Sequence, residues 1–212
     1  MLVDLHVHTN ISSRCSSVQP AELVERAYEL GLDAVAVTEH STFRGAQVNH
    51  EYALERGFKV FRGMEVFTEL GDMLVFGWQE HIRYYLFPFA DLASEVEKRG
   101  GVIIPAHPCR GEADARHRFK DELPGELLES IVAIETHNGA MTRKSNDMAE
   151  LIRKKHRLFG TGGSDAHHVS HIGRCITVFE EEPSSDAELI EALKSGKYRA
   201  AYGEELYRQR SK

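Results

Sequence analysis

The chain has 212 residues, of which 42% are hydrophobic and 28% are charged. These values are typical of a globular protein with one substantial core, and they predict a single α/β domain over residues 1–212, of barrel or layered type. The formal net charge of −7 argues against an extended nucleic-acid surface or an anionic-membrane surface, so any nucleic-acid substrate is expected to be short or bound at an end.

The three cysteines, Cys15, Cys109 and Cys175, are an odd number without CxxC spacing. This pattern predicts neither a disulfide framework nor a thiolate zinc knuckle, and it favours a reducing, cytoplasmic location. No basic segment followed by an apolar run opens the chain, and no apolar run has the length of a membrane span, so neither a signal peptide nor a membrane anchor is expected.

The first predicted strand contains Asp4 and ends in a His-x-His pair. In a strand, Leu5 and Val7 point to one face while His6 and His8 share the other, because side chains alternate. Neutral imidazole is a common ligand for divalent metals, so the pair can supply two adjacent ligands to one ion.

The next segments predict a βαβ unit. A helix begins with Pro20 in its first turn and ends at Gly31, and a buried strand at residues 34–37 then leads to His40.

The alternation of strands and helices continues along the chain. Later strands are predicted at residues 59–66, 73–78, 102–108, 132–137, 158–163 and 175–179. Later helices are predicted at residues 49–56, 90–99, 127–131, 143–155 and 186–193. Residues 73–78 are expected to form a hairpin with the preceding strand, and residues 110–125 to form an active-site loop or a partly helical excursion. The pattern predicts a mainly parallel sheet covered by helices, closed into a barrel, with an open doubly wound sheet as the alternative.

An acid or a histidine recurs where these apolar runs end. The residues are His6, His8, His40, Glu65, His107, His137, Asp165 and His167. Because the carboxyl ends of barrel strands meet at one mouth, these side chains are expected to converge there. Buried polar groups need partners, so a common ligand explains the set better than separate core residues do.

The strings DLHVHT, TEH, GMEV, AHP, ETHN and GSDAH, in this order, resemble the PHP (polymerase and histidinol phosphatase) family of metal-dependent phosphoesterases. The resemblance runs from about Asp4 to Phe179. It implies a distorted (β/α)7 TIM-like barrel with two or three divalent metal ions, of zinc, manganese or iron, at its mouth. It further implies that His6, His8, Glu65 and Asp165 hold one metal.

The same resemblance assigns the remaining ligands. Glu65 would bridge to a second metal completed by His107 and His137, while His40 and His167 would bind a third. Many family members carry another ligand five or six residues after the second histidine, where this chain has Ser13 and Arg14. The alternatives are that Cys15 or a water takes this place, or that the third site is weak or empty.

The expected chemistry is hydrolysis of a phosphate ester by a metal-activated water. The substrate would be a small phosphomonoester or the end of a nucleotide or oligonucleotide. Arg110 is the first candidate for a phosphate clamp, because its planar fork matches phosphate, and Arg14 and Arg143 are further candidates. His167 is the candidate acid for the leaving group.

Other functions remain open at this stage. They are an amidohydrolase-like reaction at a non-phosphate bond, a histidinol-phosphate phosphatase, and, least favoured, a non-catalytic domain of the kind found in DNA polymerases. Substrate choice is expected to depend on the loops at residues 41–50, 69–89 and 110–125.

Overall fold

The computed structural model describes residues 1–82, 86–110 and 122–210, with side chains of the last helix described as far as Tyr207. The strands are β1 (Leu2–Val7), β2 (Ala34–His40), β3 (Lys59–Thr68), β4 (Gly71–Phe76), β5 (Val102–Pro105), β6 (Ala133–Asn138), β7 (Phe159–Gly163), β8 (Cys175–Phe179) and β9 (Tyr198–Tyr202). The helices are α1 (Pro20–Leu30), α2 (Arg44–Leu54), α3 (Phe89–Lys98), α4 (Gly125–Ser130), α5 (Arg143–His156), α6 (Asp186–Ser195) and α7 (Gly203–Arg210).

Two sheets together form a curled α/β half-barrel. The larger sheet has the strand order β5-β4-β3-β2-β1-β8-β9, and the smaller one pairs β6 with β7 in parallel. A parallel bridge from Val7 to Ala166 joins the end of β1 to the segment after β7. Strands β1, β2 and β3 are mutually parallel, so their carboxyl ends lie at the same edge.

The prediction of a mainly parallel sheet is wrong in detail. Among the described strands, β4 pairs antiparallel with both β3 and β5, and β8 pairs antiparallel with both β1 and β9. Apolar runs indicate buried strands but not their direction, which the connections decide. The expected hairpin is confirmed, since Phe67 pairs with Asp72 across the turn between β3 and β4.

Helix boundaries agree with the sequence signals except at α2. Pro20 is the first residue of α1, and Gly31 ends that helix in the left-handed conformation at φ 66°. Helix α2 begins at Arg44, five residues before the predicted start, so the expected loop at 41–50 is largely helical. Strand β9 and helix α7 were not predicted.

Apolar side chains fill the space between the sheets and their covering helices. One cluster includes Leu23 and Ala27 of α1 with Val35 of β2, and another includes Leu92 of α3 and Val75 of β4. No helix within the described ranges is long and apolar enough to cross a membrane. The resulting core supports the strand ends on which the polar residues lie.

Candidate metal centre

Seven of the eight strand-end residues converge in one cluster. They form three overlapping groups whose nitrogen and oxygen atoms lie within 4.8 Å of one another: His6, His8 and Glu65; His6, His107 and Asp165; and His8, His40 and His167. We refer to these seven residues as the metal cluster. The observed convergence follows from the fold, because every one of these residues lies at or just beyond the end of a strand or on β3.

Glu65 and Asp165 lie between the imidazoles. Glu65 Oε1 is 3.0 Å from His107 Nε2, and Glu65 Oε2 is 2.9 Å from His40 Nδ1. Asp165 Oδ1 is 3.4 Å from His8 Nε2 and 3.5 Å from His6 Nε2. The two carboxylates therefore connect imidazoles from three different strand ends, those of β1, β2 and β5.

The backbone is adapted to this arrangement at several points. His107 and Asp165 have φ angles of 32° and 51°, in the left-handed region where a non-glycine residue is strained. A Cβ atom on Gly163 would lie 2.4 Å from the His6 Cβ, so only glycine allows β7 to approach β1 this closely. Strain at ligand-bearing residues is typical of functional sites.

The electrostatics of the cluster are those of a site for a cation. Burial, the largest influence, opposes ionisation of Glu65 and Asp165, yet the positive His6 ring holds the pKa of both carboxyls below their usual range. The pKa of His6 is raised well above its ordinary value, because Asp165, Glu135 and Glu65 outweigh the opposing effect of burial. Burial lowers the pKa of His8 to about 4. The carboxylates are thus ionised and demand positive charge.

Two features of the cluster fit the binding of divalent metals. The Nε2 atoms of His6 and His8 face each other at 3.0 Å, an arrangement that needs a proton or a cation beside the lone pairs. Asp165 Oδ2 is buried and accepts no hydrogen bond within the described part of the chain. Imidazole nitrogen together with carboxylate oxygen is a donor set that suits zinc, manganese and iron.

His137 is the strand-end residue that the structure does not bring to the cluster. Its ring packs against Tyr202, with centroids 4.4 Å apart, and burial lowers its pKa. An irregularity in the pairing of β6 with β7 falls between Glu135 and His137 and interrupts the alternation of side chains. The structure thus places His137 outside the cluster, so its role as a ligand stays a prediction, and Glu135 is the residue of β6 that contacts the cluster.

Glu135 supports two of the cluster histidines. Its Oε1 atom is 3.1 Å from His6 Nδ1, and its Oε2 atom accepts hydrogen bonds from the His107 backbone N–H at 2.8 Å and from Asn138 Nδ2 at 2.9 Å. A carboxylate on the second nitrogen of an imidazole orients the ring and raises its basicity. The acid that opens the ETHN string was the available signal in the sequence.

Asp72 is a second residue that the sequence analysis missed. It forms a group of metal-compatible atoms with Glu65 and His107, and its Oδ2 atom is 4.0 Å from His107 Nε2. Asp72 lies near the start of β4, and only the antiparallel direction of that strand brings it to the carboxyl end of β3. Asp72 does not follow an apolar run, so the strand-end pattern of the sequence does not indicate it.

The three predicted phosphate-binding arginines occupy different places. Arg110 borders the cluster, with Nη1 3.5 Å from His107 Nε2 and 3.7 Å from Asp72 Oδ2, and its side chain is 40% exposed. Arg14 is exposed in the loop after β1. Arg143 instead stacks on Tyr202 and pairs with Glu204, and it lines a separate cavity of about 370 Å³. Parts of two predicted loops lie outside the described residues. They are residues 111–121 of the loop at 110–125 and residues 83–85 of the loop at 69–89.

The comparisons with known proteins concern the family and the fold. A family model described as PHP-associated matches residues 143–198. An uncharacterized protein of Methanocaldococcus jannaschii, MJ1587, is 29% identical over 117 residues, a match that covers 51% of this chain and 68% of that protein. A PolC-type DNA polymerase III of Oceanobacillus iheyensis is 38% identical over 63 residues, which are 30% of this chain but only 4% of the polymerase.

The fold has a solved counterpart. The crystal structure of a two-domain protein from Bacteroides vulgatus, which contains a predicted PHP-like metal-dependent phosphoesterase, matches with a TM-score of 0.76 at 22% identity. The match covers 95% of this chain and 64% of the other, so this chain spans slightly less than two thirds of that protein. The shared architecture, the PHP-associated match and the ordered motifs together confirm that this chain resembles the PHP family.

Proposed function

We propose that the chain hydrolyses phosphate esters with two or three divalent metal ions, acting on a small phosphomonoester or on the end of a nucleotide or oligonucleotide. The observation that carries this proposal is the convergence of five imidazoles and two carboxylates in one cluster. The PolC-type relative supports a nucleotide among the candidate substrates. The net charge of −7 favours a small or terminal substrate over extended nucleic acid.

The metal cluster divides into overlapping ligand sets. His6, His8, Glu65 and Asp165 would hold one ion, Glu65 and His107 with Asp72 another, and His40 and His167 with His8 a third. Bound divalent ions would activate a water and neutralise charge on the phosphoryl oxygens. Glu135 would keep the His6 ring and the His107 backbone in place through the hydrogen bonds described above.

The chain itself supplies groups for the phosphate and the leaving group. Arg110 would hold a phosphoryl oxygen at the exposed border of the cluster, where its guanidinium already lies 3.9 Å from Asp165 Oδ2. His167 is partly exposed, and its Nδ1 atom is 3.0 Å from the Asp165 carbonyl oxygen. It would donate a proton to the leaving alkoxide through its other nitrogen whenever that nitrogen is free of metal.

The test is hydrolysis of an aryl phosphate, an aryl phosphodiester and an aryl carboxylic ester with added Mn²⁺ or Zn²⁺. Wild type is compared with His8→Ala and Asp165→Asn, and His81→Ala serves as the control because His81 is exposed outside the cluster. Asparagine suits the left-handed backbone at position 165, so this variant removes charge without adding strain.

We expect metal-dependent phosphate release from wild type and His81→Ala, with a loss of at least about 100-fold in the two cluster variants. Cleavage of the carboxylic ester alone would reject the phosphoesterase proposal in favour of another metal hydrolase. Equal activity in all four proteins would remove the cluster from the reaction.

A further inference from the structure

The loop between β1 and α1 places a thiol beside the cluster. Cys15 Sγ lies 3.3 Å from His40 Nε2, while the other nitrogen of that ring, Nδ1, faces Glu65. His40 belongs to the group in which the nitrogens of His8, His40 and His167 approach within 4.8 Å. A fourth donor atom therefore lies at the edge of a three-histidine group.

The backbone next to Cys15 is held against the same histidines. Ser16 is buried, and its hydroxyl donates to the His8 carbonyl oxygen at 2.9 Å and to the His167 carbonyl oxygen at 3.3 Å. The Ser17 backbone N–H also donates to the His167 carbonyl oxygen, at 2.9 Å. These bonds hold the backbone that follows Cys15 against two of the three histidines.

The neighbouring loop residues cannot replace this donor. The Ser13 hydroxyl donates to Glu39, and Arg14 carries a cation. Cys15 is the residue of this turn whose side chain can deliver an anionic soft donor toward His40. Rotation about its χ1 angle moves the sulfur without disturbing the Ser16 and Ser17 contacts.

We propose that Cys15 is a thiolate ligand of the metal ion held by His8, His40 and His167. The inference rests on the proposed metal-dependent function and adds a donor that selects among metals. Thiolate is soft and favours zinc, whereas manganese prefers oxygen ligands, so this position would be zinc-selective while the carboxylate-rich positions accept harder ions.

The test is a cobalt titration of the full chain after removal of bound metal. Co²⁺ bound through a thiolate has a charge-transfer absorption in the near ultraviolet, separate from its visible d–d bands. Wild type is compared with Cys15→Ser and Cys15→Ala. Cys109→Ser is the matched control, because Cys109 is the half-buried thiol near His107 that packs with the apolar core.

We expect the charge-transfer band in wild type and Cys109→Ser, and its loss in both Cys15 variants with the d–d bands retained. Zinc affinity at this position should fall about tenfold or more in the Cys15 variants. The loss of a ligand should lower the affinity at least as much as the loss of a residue that only supports a ligand. A band that persists in Cys15→Ser, or that is absent from wild type with cobalt bound, would overturn the proposal.

The same samples separate this inference from the proposed function. A thiolate band without release of phosphate would leave Cys15 as a ligand and reject the phosphoesterase activity. Phosphate release by a cobalt-loaded enzyme that lacks the band would support the phosphoesterase activity and reject Cys15 as a ligand. Absence of all cobalt binding would reject both.

Discussion

At the scale of single residues, the cluster contains predicted metal ligands and further groups that hold them in place. Glu65 and Asp165 lie near the Nε2 atom of His6, whereas Glu135 contacts the Nδ1 atom on the other side of that ring and the backbone N–H of His107. Such supporting contacts set the orientation and basicity of ligands. A supporting residue can therefore be replaced while every predicted ligand is kept.

Replacement of Glu135 by glutamine should weaken metal binding by about 10- to 100-fold, because a neutral amide supports the His6 ring less well than a carboxylate. The change keeps the size of the side chain, so the fold should persist. Competition with a chromogenic chelator measures the affinity, and the exposed Glu129→Gln serves as control. Unchanged affinity would show that Glu135 has no role at the centre.

Arg110 is expected to act on the substrate and not on the metals. Arg110→Ala should raise KM or lower kcat for aryl phosphate by about 10-fold or more, with metal content intact, because a charge-assisted phosphate contact is lost. Arg110→Lys should recover only part of this loss, since lysine cannot bind bidentately. Kinetics equal to those of wild type would exclude Arg110 from the mechanism.

At the scale of elements, Asp4 of β1 ties the ligand-bearing segments together. Its carboxylate accepts hydrogen bonds from the backbone N–H groups of Ser164 and Gly173, each at 2.8 Å, and from that of His6 at 3.3 Å. One buried carboxylate thus joins β1 to the segment that carries Asp165 and His167. Burial raises the pKa of Asp4 to about 6, against the effect of these hydrogen bonds.

Asp4→Ala should lower the free energy of unfolding by about 3 kcal/mol or more, because buried N–H groups lose their acceptor. Urea unfolding at neutral pH measures this difference. Asp33→Ala is the graded control, since the exposed Asp33 accepts only the Leu2 N–H among the hydrogen bonds described, and a loss of about 1 kcal/mol is expected there. Equal losses in both variants would contradict a special role for Asp4.

At the scale of the whole molecule, the cluster joins both sheets, so metal binding and folding should be coupled. Metal at 100 times its dissociation constant should add about 2.7 kcal/mol of stability for each site. Removal by a chelator should lower Tm by several degrees, and Asp165→Asn should reduce this difference. A Tm that is independent of metal in wild type would show that the ions do not bind the folded state preferentially.

Many of the strands and helices, and most of the candidate site, can be predicted from the sequence because they depend on local periodicity. Apolar runs with polar ends locate β1, β2 and β3, Pro20 and Gly31 delimit a helix, and the ordered motifs carry the resemblance to the PHP family. The convergence of the cluster follows from these features, since parallel strands place their carboxyl ends at one edge. Seven of the eight predicted ligands meet there for this reason.

What only the tertiary structure decided are features that depend on strand direction and register. The irregularity in β6 takes His137 away and leaves Glu135 at the centre, and the antiparallel course of β4 brings in Asp72. The hydrogen bonds of Ser16 place Cys15 beside His40. Strand direction and register leave no local trace, because a single extra residue in a strand or a long-range contact changes which side chains meet while the surrounding pattern of apolar and polar residues stays the same.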